Sequence, residues 1–139
     1  MAQEIAELHL QAEIGQKVLL TRGSEVLICR GIGDSMWDLP GGRLNKNEEP
    51  KEGLKRELRE ELGIETVIDA PVETLVWYGA KSGIPRFFVV YAATMANESD
   101  QLTVALDELE EVRWITESQI AELPISPEWV PILRAHIQQ

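Results

Sequence analysis

Glu57, Glu60 and Glu61 stand three and four residues apart, the spacing that sets side chains on one face of an α-helix. Like charges so placed repel and weaken a helix by about 0.2–0.5 kcal/mol per pair. A bridging cation turns that repulsion into a binding site, and hard carboxylate oxygens select Mg²⁺ or Mn²⁺. Arg56 adjoins the cluster, Glu48 precedes it, and Gly42 and Gly63 bound the segment. Ions held there could polarise a phosphoryl group and lower the pKa of bound water. Those are elements of metal-assisted hydrolysis, which needs charge neutralisation, an activated water and positioning.

Written as a pattern, the segment from Gly42 to Ile64 is G-x5-E-x7-R-E-U-x-E-E-x-G-U, where U is a bulky aliphatic residue. Gly42, Glu48, Arg56, Glu57, Leu58, Glu60, Glu61, Gly63 and Ile64 fill every specified position. Seven fixed identities at roughly 7% usage each give on the order of one chance match per 10⁸ windows. The segment resembles the signature box of the Nudix hydrolases. Trp37-Asp38-Leu39-Pro40-Gly41-Gly42 resembles the W-x-[LF]-P-G-G approach to that box, and Glu111 to Ile115 resembles the family's late E-V-x-W-[VIF] strand. The resemblance covers about residues 16 to 135.

The resemblance implies an α/β fold, a Nudix-type α/β/α sandwich with a central mixed β-sheet flanked by helices. It also implies roles. Glu57, Glu60 and Glu61 are expected as metal ligands, one of them serving as base, with the backbone of Gly41 near the metal. Arg56 is expected to steady a box glutamate, Glu48 to brace the loop against the helix, and Gly42 and Gly63 to hold the backbone. A further carboxylate from outside the box often completes such sites. Glu108, Glu110 and Glu111 are candidates, Glu108 foremost because it lies in the loop before the late strand.

The elements that must position these groups are legible in outline. Gln16 to Arg22 and Glu25 to Arg30 are apolar runs around Gly23-Ser24, a hairpin signal. Trp37 to Leu39 reads as a very short strand ended by Pro40-Gly41-Gly42. The box helix begins near Pro50, a residue suited to a first helical position. Leu54, Leu58 and Leu62 recur every four residues and supply its buried stripe, and Gly63 fits a C-terminal cap. Val72 to Tyr78 and Pro85 to Thr94 read as strands, with Phe87 to Tyr91 too apolar for a sheet edge. Leu102 to Glu111 reads as an acidic loop, Val112 to Ile115 as a strand, Thr116 to Ser118 as a helix start, and Pro127 to Ile137 as a closing helix. One domain is expected over residues 1–139, with 1–15 as a peripheral N-terminal extension, helical or an added strand.

Among other residues, Trp37, Trp77, Tyr78 and Trp129 could stack on a nucleobase, although strand aromatics are more often core. Trp114 reads as core. Arg30, Lys81 and Arg86 could contact phosphate. His9 and His136 lack metal-ligand spacing, and Cys29 reads as a small buried hydrophobe.

The chain carries 13 basic and 24 acidic residues, a net charge of −11. That balance argues against binding a nucleic-acid backbone, which relies on Lys and Arg. It would also repel a phosphorylated small molecule unless divalent ions neutralise both parties. No apolar run approaches the roughly 20 residues of a membrane span. The N-terminus has no secretory pattern and Cys29 is the only cysteine, so a cytoplasmic location is expected. The expected partner is a small nucleotide or nucleotide derivative, and a homodimer is compatible with this reading.

The expected activity is metal-dependent cleavage of a phosphoanhydride in a nucleoside diphosphate linked to another moiety. A catalytically silent nucleotide-sensing module is the alternative, and the intact box argues against it. An isomerase like isopentenyl-diphosphate isomerase would need a catalytic Cys that Cys29, upstream in a strand, does not supply. Markers of narrower substrate classes are missing: Gly79 stands where many ADP-ribose hydrolases carry a proline, and Tyr78 comes too early for the tyrosine of many dinucleoside polyphosphate hydrolases.

Overall fold

A computed structural model of the chain describes residues 8–137. Six strands form one mixed sheet: β1 (Glu13–Arg22), β2 (Glu25–Gly31), β3 (Gly41–Arg43), β4 (Thr66–Trp77), β5 (Arg86–Met95) and β6 (Leu109–Ile115). Their spatial order is β4-β5-β1-β2-β6, with β3 paired to the first half of β1. β1 and β5 run parallel, and the other pairings are antiparallel. Helix α1 (Pro50–Leu62) covers one face, and the 3₁₀ turns Glu117–Glu122 and Pro127–Trp129 with helix α2 (Val130–His136) cover the other. The result is an α/β/α sandwich.

Alternation along the strands builds the two cores. From β1, Val18 and Leu20 point to α1 while Leu19 points to α2; from β2, Leu27 and Cys29 face α1 while Val26 and Ile28 face α2. β5 lies between β4 and β1, so Phe88 and Val90 fill one layer and Tyr91, Ala93 and Met95 the other. The leucine stripe of α1 is fully inaccessible at Leu54, Leu58 and Leu62. Truncating such a side chain removes transfer energy and leaves a cavity. Leu58→Ala is therefore expected to cost about 2–5 kcal/mol, read by urea denaturation at unchanged m-value.

Four boundaries differ from the sequence reading. β1 starts at Glu13, inside the segment assigned to the peripheral extension, because the Glu13 amide bonds the Pro85 carbonyl and pairing with Arg86–Phe88 extends the strand; residues 1–7 lie outside the described residues. Residues 37–39 make only isolated bridges, Trp37 to Ile125 and Asp38 to Cys29, while the strand is Gly41–Arg43 itself. Two glycines hid it, since glycine is a poor strand former. β4 begins at Thr66 and runs through Pro71 with register shifts on either side; an edge strand tolerates a proline at such an irregularity. β6 begins at Leu109, inside the expected loop.

Gly41 has φ +144°, and a Cβ there would collide with the Gln16 carbonyl oxygen. Backbone cannot swing aside as a side chain can. Gly41→Ala is expected to destabilise the fold by several kcal/mol, on the order of a large core truncation, visible as a lowered melting temperature.

Candidate active site

The site is built on α1 and its two ends. Glu49 caps the N-terminus by accepting the Glu52 amide, and Pro50 occupies the first turn. Gly63 ends the helix in the left-handed conformation, with its amide on the Arg59 carbonyl. The last helical carbonyls also receive the 102–108 loop: the Thr103 amide bonds the Leu62 carbonyl and the Ala105 amide the Glu61 carbonyl. That docking brings Glu108 to the same cleft as Glu57.

Arg56 is the hub of the charged face. Its Nε donates to Glu48 at 2.6 Å, Nη2 to Glu48 and Glu57 at 3.1 and 3.2 Å, and Nη1 to Glu60 at 3.2 Å. These bonds hold the Glu48 carboxyl below the usual range, assisted by the Asn45 amide against a smaller opposing effect of desolvation. Glu48 also lies against Gly53, where a Cβ would come within 2.6 Å of its carboxylate. A glycine inside a helix costs roughly 0.5–1 kcal/mol relative to alanine, and here it makes room for the brace.

Glu61 differs from its neighbours. It is 8% exposed, and burial pushes its carboxyl up to about 8. Lys17 opposes that rise, Glu57 and Glu108 add to it, and the Gly41 amide acts to lower it. A Cβ on Gly42 would come within 2.6 Å of the Glu57 carboxyl group, so the glycine is what lets that carboxylate reach the strand. Among the described residues, no three His, Cys, Asp or Glu side chains are close enough together to enclose a metal ion as they stand; Arg56 holds Glu57 and Glu60 instead. The donor set nevertheless suits a hard divalent cation: three carboxylates on one helix, with Glu61 made hard to ionise by its burial first and by repulsion from Glu57 and Glu108 second. A cation would relieve that repulsion.

Two clefts meet here. The polar one is lined by Glu13, Gly42, Arg43, Leu44, Asn45, Glu57 and Glu108. The second, of about 370 Å³, shares Gly42 and Arg43 with it and extends over Lys17, Asp38, Trp77, Arg86, Phe88 and Trp129. Of the substrate contacts read from sequence, Trp77 and Arg86 line the second cleft, with the guanidinium 5.5 Å from the indole ring. Arg30 and Tyr78 line neither cleft. Arg30 is bound to Glu110, Glu111 and the Asp34 carbonyl and, with Arg113, flanks the buried Trp37; Tyr78 is 70% exposed. Glu110 and Glu111 are thus occupied by arginines, whereas Glu108 faces the cleft.

The sequence reading passed over Lys17, Asp38 and Arg43. Lys17 offered a signal: a lysine beside a run of buried apolar strand residues needs a partner. Its Nζ donates to Asp38 Oδ2 at 3.1 Å and to the Leu39 carbonyl at 3.0 Å. Burial works to lower its pKa, but Asp38, Cys29 and Glu61 together outweigh this and the net shift is upward.

Comparison with known proteins agrees with this fold. The NUDIX domain profile matches residues 10–135. A candidate 8-oxo-dGTP diphosphatase of Mycobacterium tuberculosis is 32% identical over 92 residues, covering 66% of this chain and 42% of that protein. An RNA pyrophosphohydrolase of Pseudomonas paraeruginosa is 42% identical over 48 residues, covering 34% of this chain and 30% of that protein. The chain thus spans less than half the length of these curated relatives. Among solved structures, a NUDIX-family hydrolase from Clostridium perfringens superposes with a TM-score of 0.78 at 17% identity, over 91% of this chain and 96% of that one. With the sandwich, the charged helix face and a profile match over nearly its whole length, the chain belongs to the NUDIX domain family.

Proposed function

We propose that the chain is a Mg²⁺- or Mn²⁺-dependent pyrophosphohydrolase that cuts a phosphoanhydride in a nucleoside diphosphate linked to another moiety. The supporting observation is the junction of the two clefts. Carboxylates line one, aromatic rings wall the other, and Gly42 and Arg43 belong to both. A nucleoside in the aromatic cleft would lay its diphosphate across that junction. Both curated relatives are named for diphosphate or pyrophosphate cleavage.

Glu57, Glu60 and Glu61, with the Gly41 backbone, are the groups that would hold divalent ions. Bound there, such an ion supplies charge neutralisation and Lewis acidity at the diphosphate and acidifies water. The protein's own groups do the rest. Arg56 orients Glu57 and Glu60 through its guanidinium fork. Glu61, hard to ionise in the metal-free protein, would be a carboxylate once a divalent ion neutralises the cluster, and in that form is suited to take a proton from the attacking water. Arg43, exposed at the junction and tied to Glu13 at 3.3 Å, can exchange that partner for a phosphate oxygen. Trp77 offers a stacking face.

The acidic balance of the chain, −11, favours a small nucleotide over RNA as substrate. None of the described helices is long and apolar enough to cross a membrane, and a single buried cysteine fits a reducing cytoplasm. The test is a panel of nucleoside triphosphates, nucleotide sugars and dinucleotides assayed for phosphate or pyrophosphate release with Mg²⁺ and with Mn²⁺. Turnover abolished by EDTA supports the reading. Binding without turnover would mark a nucleotide-sensing module and overturn it.

A further inference from the structure

The aromatic cleft carries a polar pair that hydrolysis does not use. Asp38 Oδ2 accepts from Lys17, and Oδ1 accepts from the Leu39 amide at 2.7 Å. Each carboxylate oxygen keeps a second lone pair, and the side chain is 43% exposed where it lines the cleft. Lys17 spends two of its three N–H donors on Asp38 and the Leu39 carbonyl; the third has no hydrogen-bond partner among the described residues. The pair therefore presents, side by side, two acceptors and one donor. Phe88 lies under the ammonium, 5.8 Å from Nζ to ring centroid, and Trp77 and Trp129 wall the same cleft.

Resting on the reading that this cleft takes the nucleoside of a cleaved nucleotide, we propose that Asp38 and Lys17 read the Watson–Crick edge of guanine. Guanine offers N1–H and N2–H together, which a carboxylate accepts in bidentate fashion, and its O6 lies next in line for the Lys17 donor. Adenine and cytosine each set a ring-nitrogen lone pair against a carboxylate oxygen. Uracil and thymine present one N–H between two carbonyls, so one carbonyl faces the carboxylate. Each of these leaves buried polar groups mispaired, the circumstance in which a hydrogen-bonding site rejects an analogue strongly. Asp38 fills the unspecified position of the W-x-[LF]-P-G-G approach, so the pair is a feature of this chain rather than of the pattern.

Two measurements test this together. The first is kcat/KM for GTP, dGTP, ATP, CTP and UTP with Mg²⁺, for the wild type, Asp38→Asn and Lys17→Met. The second is binding of GMP and AMP in EDTA, followed by quenching of tryptophan fluorescence, which needs no catalysis. The wild type is expected to favour guanine nucleotides over adenine by about 50-fold or more, with GMP binding at least about tenfold tighter than AMP. Asp38→Asn, which keeps the size of the side chain and an oxygen for Lys17, should bring the GTP/ATP ratio below about fivefold in a protein that stays folded by circular dichroism, with its melting temperature lowered by the loss of the Lys17 counter-charge. Lys17→Met should lower the same ratio; if it fails to fold, Asp38→Asn alone decides. A wild type that cleaves nucleotides without base preference overturns the proposal, as does an Asp38→Asn variant that keeps it. A wild type that cleaves none of the panel overturns the proposed function instead, and the GMP/AMP comparison still settles the guanine reading: equal binding, or none, defeats it.

Discussion

Glu61→Gln lowers turnover by roughly 10³-fold or more in a protein that stays folded. The glutamine keeps shape and removes both the charge and the proton-accepting oxygen. Because Glu61 is 8% exposed, no solvent stands in for the lost carboxylate. Glu60→Gln is expected to act through the metal alone: Glu60 is exposed, among the described residues its oxygens bond only Arg56, and its loss leaves the Glu61 base in place. Excess Mn²⁺ should therefore recover part of the Glu60→Gln activity and almost none of the Glu61→Gln activity. Glu65→Gln is the control, since Glu65 pairs with Arg59 on the exposed side of the helix end and should change turnover by less than about twofold. Steady-state kinetics with circular dichroism on each variant checks all three. Near-normal turnover in Glu61→Gln removes its catalytic role.

Stability of the metal-free protein falls as pH rises from about 5 to 8. The Glu61 carboxyl has an ordinary value of 4.5 and is pushed up to about 8 in the folded chain. The folded state therefore holds a proton that the unfolded state has released. Its contribution to stability is complete below about pH 4.5 and is lost as pH climbs through 8. Each unit of separation corresponds to about 1.4 kcal/mol, so the loss amounts to a few kcal/mol. Glu48 and Glu111 are held below the usual carboxylate range, so their titrations fall outside this window. Mg²⁺ reverses the effect because it binds the folded, ionised site: at a hundredfold excess over its Kd it returns about 2.7 kcal/mol. Urea melts at pH 5, 6, 7 and 8, in EDTA and in Mg²⁺, give both curves. Glu61→Gln should flatten the slope in EDTA and remove most of the Mg²⁺ response at pH 8. A slope of the opposite sign contradicts the burial of Glu61.

The charged helix was more legible in the sequence than the cleft was. Residues 50–63 could be read locally: Pro50, the leucines four apart and Gly63 define a helix by rules within a few residues, and the helix runs from Pro50 to Leu62. The interior place of β5, off the sheet edge, was visible because Phe87–Tyr91 is apolar on both faces. β3 was invisible because its pairing is to β1, more than twenty residues away, and two of its three residues are glycines. Long-range pairing also decides the fate of the arginines. Arg30 and Arg86 look alike as cations in the sequence, yet the β2–β6 ladder sets Arg30 against Glu111 while β5 sets Arg86 beside Trp77 in the cleft. Lys17 and Asp38 were separated by a hairpin and a loop, so nothing local announced that they meet.

Binding of Mn²⁺ in the absence of substrate, followed by the electron paramagnetic resonance of the free ion, reaches the centre of the account. At pH 8 the wild type should take up at least one Mn²⁺ per chain, with Glu60→Gln and Glu61→Gln each weakening the binding by about tenfold or more. A wild type that leaves all the Mn²⁺ free, or variants that bind it as the wild type does, would contradict a metal site on the carboxylate face of α1.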